Sequence, residues 1–94
     1  MKLDDKQMEA MLICQEECAE VTQAISKIMR FGLMETWNEK TNQERLEEEV
    51  GDLVAMIEIL QERGVIDREF VQRAALAKRY KLQKWSNIFN GETV

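Results

Sequence analysis

Glu16-Glu17-Cys18-Ala19-Glu20 and, after an interval of 28 residues, Glu49-Val50-Gly51-Asp52 decide how this chain is read. Each lies in a segment of strong helical periodicity. Each places two carboxylates three residues apart, about 300° around a helix and so adjacent on one face. The neighbours of those acids carry the argument. With Glu17 as origin of a helical wheel, Ile13 and Ala24 fall within about 40° of it, and Val21, Ile25 and Ile28 form the adjoining stripe. Around Glu49 and Asp52 the second segment sets Leu46, Leu53, Met56, Ile57 and Leu60. Two apolar faces suited to packing together therefore carry acids along their edge. Carboxylates gathered in a half-buried seam repel one another and lose hydration, so they take up protons or hold a cation. With oxygen ligands and no His in the chain, the cation is a hard divalent one, Mg2+ by default and Mn2+ as a substitute. The missing His also argues against a di-iron bundle built on Glu-x-x-His. Zinc lacks ligands too: Cys14 and Cys18 have no partners and fall on the apolar stripe, where they read as small core residues.

Outward from the acids, the chain divides into three helices, about 5–30, 42–63 and 67–85. Asp4 and Gln7 form a capping box ahead of the apolar series Met8, Met11, Cys14, Cys18, Val21, Ile25 and Ile28, and Gly32 is placed to close that helix. Thr41-Asn42-Gln43-Glu44 is a second capping box, opening a helix with the stripe Leu46, Val50, Leu53, Ile57 and Leu60. Gly51, between two of the acids, costs about 1 kcal/mol against Ala in a helix and predicts the close approach of another helix or a ligand. Gly64 ends the second helix and Asp67 caps the third. Between the first two, residues 32–40 read as a loop. Its Trp37 either folds back onto the bundle or covers a ligand.

The composition agrees with one all-α domain spanning residues 1–94. The chain is 45% hydrophobic and 33% charged, with no Pro and four Gly, which suits long helices better than a turn-rich β fold. A formal net charge of −5 disfavours nucleic acid as a partner. No apolar run approaches a membrane span, the charged amino terminus lacks the apolar core of a signal peptide, and two Cys give no disulfide framework. The expected setting is cytoplasmic. Three helices make a thin core and a bundle usually wants four, so an oligomer is expected.

The third helix breaks with the acidic balance. From Arg68 to Lys84 it has six basic residues against the single acid Glu69. Lys78, Lys81 and Lys84 are either a solvated face that complements the helix C-terminus or a clamp for phosphate oxygens. The acids have their own ordinary explanation, since a lone EExxE is commonly a solvated face and Glu44, Glu47 and Glu48 complement a helix start. Two doublets, each bordering an apolar stripe, are harder to explain that way.

Glu16-Glu17-x-x-Glu20 followed by Glu49-x-x-Asp52 resembles the EExxE…ExxD signature of the MazG-like all-α nucleoside triphosphate pyrophosphohydrolases. That superfamily also holds the dimeric dUTPases and dCTP pyrophosphatases. The stretches Ser26-Lys27-Ile28-Met29-Arg30-Phe31-Gly32 and Arg45-Leu46-Glu47-Glu48-Glu49-Val50-Gly51-Asp52-Leu53 resemble the short single-domain forms of bacteria and phages, over about residues 5–85. The resemblance implies Mg2+-dependent hydrolysis of a (d)NTP to monophosphate and diphosphate, in a helical bundle completed as a homodimer or homotetramer in a bacterial or phage-infected host cytosol. It implies metal ligation by Glu17, Glu20, Glu49 and Asp52, with Glu16 on a second metal or orienting the attacking water. Lys78, Lys81 and Lys84 are matched to phosphate oxygens, with Lys27 and Arg30 as further candidates. Asn42 is either a helix-cap residue or a substrate contact. Phe31, Trp37 and Trp85 are the aromatics available to a base, which favours a large purine as in dGTP. The readings in competition are a metal-dependent nucleotide-binding regulator without turnover and a non-catalytic helical interaction protein.

Overall fold

The computed structural model describes residues 2–92. Asp4 takes an extended backbone and its carboxylate accepts the Gln7 amide at 2.8 Å, while Gln7 Oε1 accepts the Asp4 amide at 2.9 Å. This reciprocal cap satisfies two otherwise unpaired donors and starts α1, Asp5–Phe31. The helix stops at Gly32, whose φ of 102° and ψ of 154° put it where a side chain is strained. Thr41 and Glu44 repeat the capping box at the start of α2, Asn42–Glu62. Those bonds from the Thr41 amide and hydroxyl hold the Glu44 carboxyl below its ordinary range. Gly64, with φ of 73°, turns the chain after α2. Asp67 then accepts the Phe70 amide at 2.8 Å to start α3, Arg68–Trp85. All three helices stand where the sequence places them. No helix among the described residues is long and apolar enough to cross a membrane.

The segment after α1 is more ordered than the expected loop. Thr36–Trp37 (β1) pairs antiparallel with Lys40–Thr41 (β2), Thr36 opposite Thr41 and Trp37 opposite Lys40. The two turn residues, Asn38 and Glu39, have φ of 51° and 67°, the left-handed pair that a two-residue hairpin of this hand requires. Strands of two residues are too short to show an alternating pattern. The hairpin is tied to the first turn of α2. The Asn42 amide donates to the Glu35 carbonyl and the Gln43 amide to the Leu33 carbonyl, both at 2.9 Å. Asn42 Nδ2 reaches the Gly32 carbonyl at 2.9 Å.

α1 and α2 pack antiparallel along their length, whereas α3 touches the rest only marginally. Gln7 Nε2 closes the open end of the pair by donating to the Arg63 carbonyl at 2.8 Å. The core inside one chain is small: Ala10, Ala24 and Leu60 are its buried apolar residues, with Asn42 the buried polar one. The apolar stripes expected from periodicity are split. Cys14, Val21, Ile28, Leu46, Leu53 and Ile57 are half-buried between the helices, but Met8, Met11, Cys18, Ile25 and Val50 are exposed. Cys18 is thus not a core residue within the chain. Only Cys14 sits against the packing face, where partial burial, then Cys18 and Glu17, push its thiol upward.

Nothing approaches Gly51 within 4 Å of where a Cβ would stand, so the close contact expected there is absent among the described residues. Gly51→Ala should therefore raise stability by about 0.5–1 kcal/mol through helix propensity, read as a higher thermal midpoint. A lower midpoint would place a second chain against this turn.

Candidate metal centre and adjoining groove

The antiparallel pairing of α1 and α2 sets the two acidic doublets side by side. Glu17, Glu49 and Asp52 each offer an oxygen within 4.8 Å of the others. Glu17 and Glu49 are half-buried and Asp52 is exposed, so the group opens to solvent on one side. Glu17 Oε2 is buried with no hydrogen-bond partner, an expensive state for a carboxylate oxygen. Partial burial first, and the charges of Asp52, Glu20 and Glu16 next, push the Glu17 carboxyl above its ordinary value. Burial, then Glu20, Asp52, Glu17 and Glu48, do the same to Glu49. Three converging carboxylates, one with an orphaned oxygen, fit a hard divalent cation, and Glu20 acts on Glu17 and Glu49 through its charge and lines the adjoining hollow. Glu16 lies outside the three-acid group and acts on it through charge.

A hollow of about 190 Å3 leads away from the acids, lined by Glu20, Glu49, Ala24, Lys27, Asn42 and Arg45 among others. It abuts a second of about 350 Å3 that shares Lys27, Asn42 and Arg45 and ends at Phe31, Trp37 and the chain from Glu35 to Thr36. The volume is at the small end for ligand pockets. The groove therefore runs from acids, through two cations, to two aromatic rings. Arg45 is held in place by Trp37: its guanidinium lies 4.8 Å from the ring centroid and donates to the Trp37 carbonyl. Its Nε is buried without a partner. Glu48, which lines the same hollow, is engaged by Lys40 Nζ at 2.6 Å.

Of the residues singled out in the sequence, the structure brings Glu17, Glu20, Glu49, Asp52, Lys27, Phe31, Trp37 and Asn42 to this groove. Trp37 is 65% exposed and does not fold back onto the bundle. Asn42 is the first residue of α2, behind the cap Thr41, and its amide anchors the loop while it lines the groove. Arg30 instead stacks on Phe31 at 4.8 Å. Lys78, Lys81, Lys84 and Trp85 lie on α3, and none of them lines the groove within the chain. Arg45 was missed as a site residue. Its signal was there, as the single cation of α2, one helical turn before Glu49.

A family model described as the MazG nucleotide pyrophosphohydrolase domain matches residues 6–85. This chain belongs to the MazG family. The match covers both acidic doublets, the hairpin and all of α3. No curated protein and no solved structure gives a significant match. As a MazG domain the protein is of the nucleotide pyrophosphohydrolase class, in a family generally dependent on divalent metal, and its carboxylate cluster stands where such an ion would be held.

Proposed function

We propose that this MazG domain hydrolyses a nucleoside triphosphate to the monophosphate and diphosphate, with Mg2+ held by Glu17, Glu49 and Asp52 and with a purine deoxynucleotide such as dGTP preferred. One observation carries the reading: the single groove from the carboxylate cluster past Lys27 and Arg45 to Phe31 and Trp37. That order of charges and rings matches the order of parts in a metal-bound nucleoside triphosphate. Bound Mg2+ would offset phosphate charge and lower the pKa of a coordinated water.

The chain's own residues do the rest. Glu17, Glu49 and Asp52 hold the cation, with Glu20 as a further ligand. Lys27 and Arg45 take the phosphate oxygens nearest the acids, and Arg45 presents a planar donor array already oriented by Trp37. Glu16 stands beside the cluster, suited to orient a water or to serve a second ion. Lys78, Lys81 and Lys84 reach the phosphates only from a second copy, so the assembly, a dimer or tetramer, belongs to the proposal. The proposed setting is the cytosol, where free nucleotides are.

The test is a panel of NTPs and dNTPs at fixed Mg2+, with mono-, di- and orthophosphate products resolved. Monophosphate and diphosphate in equal amounts are expected, lost on chelation and restored by Mg2+ or Mn2+. Release of orthophosphate would move the cut to another bond. Tight Mg2+-dependent binding without product would make the protein a nucleotide-binding regulator.

A further inference from the structure

We propose that the Glu35 carboxylate reads the edge of the nucleobase and selects guanine. The inference rests on the pyrophosphohydrolase reading above and extends it to a specificity residue and a base. Lys27, Asn42 and Arg45 are shared by the two halves of the groove, so phosphates held there leave the base at the far end, with Phe31, Trp37 and Glu35. Each ring has an arginine over one face, Arg30 on Phe31 and Arg45 on Trp37, both at 4.8 Å. The arginines hold the rings as walls for a flat ligand.

Glu35 is the single acid lining this end. Its backbone is fixed by the hydrogen bond from the Asn42 amide at 2.9 Å and by the strand that follows. Its side chain makes no hydrogen bond or ion pair among the described residues, although Lys27 and Arg45 line the same pocket. An ionised carboxylate is an acceptor only, with two parallel oxygens. Guanine has adjacent N–H donors, N1–H and the exocyclic amine, side by side on its pairing edge. Adenine and cytosine set one amine beside a ring nitrogen that is an acceptor, and thymine or uracil flanks its one N–H with carbonyls. Those acceptors would face the carboxylate and be repelled. Guanine alone satisfies both oxygens.

The test compares kcat/KM for dGTP, dITP, dATP, dCTP and dTTP on wild type and Glu35→Gln. Hypoxanthine in dITP lacks the exocyclic amine, so it removes one of the two bonds without touching the protein. Wild type should prefer dGTP to dITP by about tenfold or more, since hydrogen bonds to a charged group are at stake. Glu35→Gln should lower kcat/KM for dGTP by about ten- to a hundredfold, mainly through KM, and bring the dGTP/dITP ratio close to one. A ratio equal in both proteins, or a wild type that turns over another base best, overturns the assignment. If no triphosphate is hydrolysed, the pyrophosphohydrolase reading fails. Calorimetric affinities of dGTP and dITP for the two proteins then decide on Glu35 separately, with the same ratio expected to collapse.

Discussion

Glu17→Gln should make the metal-free protein more heat-stable at neutral pH and lower triphosphate hydrolysis by at least about a hundredfold. Both effects have one cause. Glu17 carries a buried oxygen with no partner, among carboxylates that raise its pKa and that of Glu49. A carboxyl raised in the folded state binds its proton more tightly there than in the unfolded chain. Its stabilising share is therefore complete below the ordinary value near 4.5 and is lost as pH rises through the raised value. At pH 7 the ionised seam costs stability, and the amide, equal in size and uncharged, removes that cost. With the charge gone a ligand for the cation is also gone. Since even residues that only support metal ligands are worth about 10–100-fold, loss of the ligand itself should exceed that.

Thermal midpoints from pH 4 to 8, with and without millimolar Mg2+, check the whole argument. Without Mg2+ the wild type should fall progressively below Glu17→Gln as pH rises above about 4.5. Mg2+ should raise the wild-type midpoint and leave the variant nearly unmoved. A variant less stable than wild type in chelator would mean that Glu17 is a structural hydrogen-bond partner and not a strained ligand.

Both capping boxes and the Asp67 cap were legible because each is written in four consecutive residues and depends on nothing else. The carboxylate cluster was legible for a related reason: spacing of three on two helices fixes which acids share a face. What escaped reading depends on contacts between segments. Periodicity located the apolar side of α1 but not which part of it meets α2, so Cys18 and Val50 passed as core. Glu35 reaches the groove only once the hairpin folds onto the start of α2, and that hairpin is too short to leave a pattern. The basic character of α3 was plain in the sequence, while its distance from the acids within one chain was not.

The proposed assembly predicts that Met11→Asp yields a poorly folded monomer without turnover, although Met11 is about 9 Å along the helix from Glu17. The isolated chain exposes 7815 Å2, where a folded monomer of this mass would expose about 5,600 Å2. Its radius of gyration is 16.4 Å, against about 12 Å for a compact domain of this length. The surplus exceeds the roughly 800 Å2 per partner of a standard interface. Its position is specific. On α1, Met8, Met11, Cys18, Ile25 and Met29 lie about 60–160° around from Ala10, which faces α2. On α2, Val50 and Val54 lie about 60–100° around from Leu53 in the same sense. Because the two helices run antiparallel, equal rotations bring both sets to one side of the pair. The result is an exposed apolar face along the α1–α2 pair. A second α1–α2 pair laid on it would complete a four-helix bundle. An aspartate in that face loses the burial of Met and gains an unpaired charge, about 3 kcal/mol or more per chain. In a small domain that is a large share of the total stability. Sedimentation velocity beside activity checks it. Wild type should sediment as a dimer or tetramer and Met11→Asp as a monomer without turnover. A wild type that is monomeric and fully active would mean that the groove of one chain suffices and that the α3 lysines are only a solvated face.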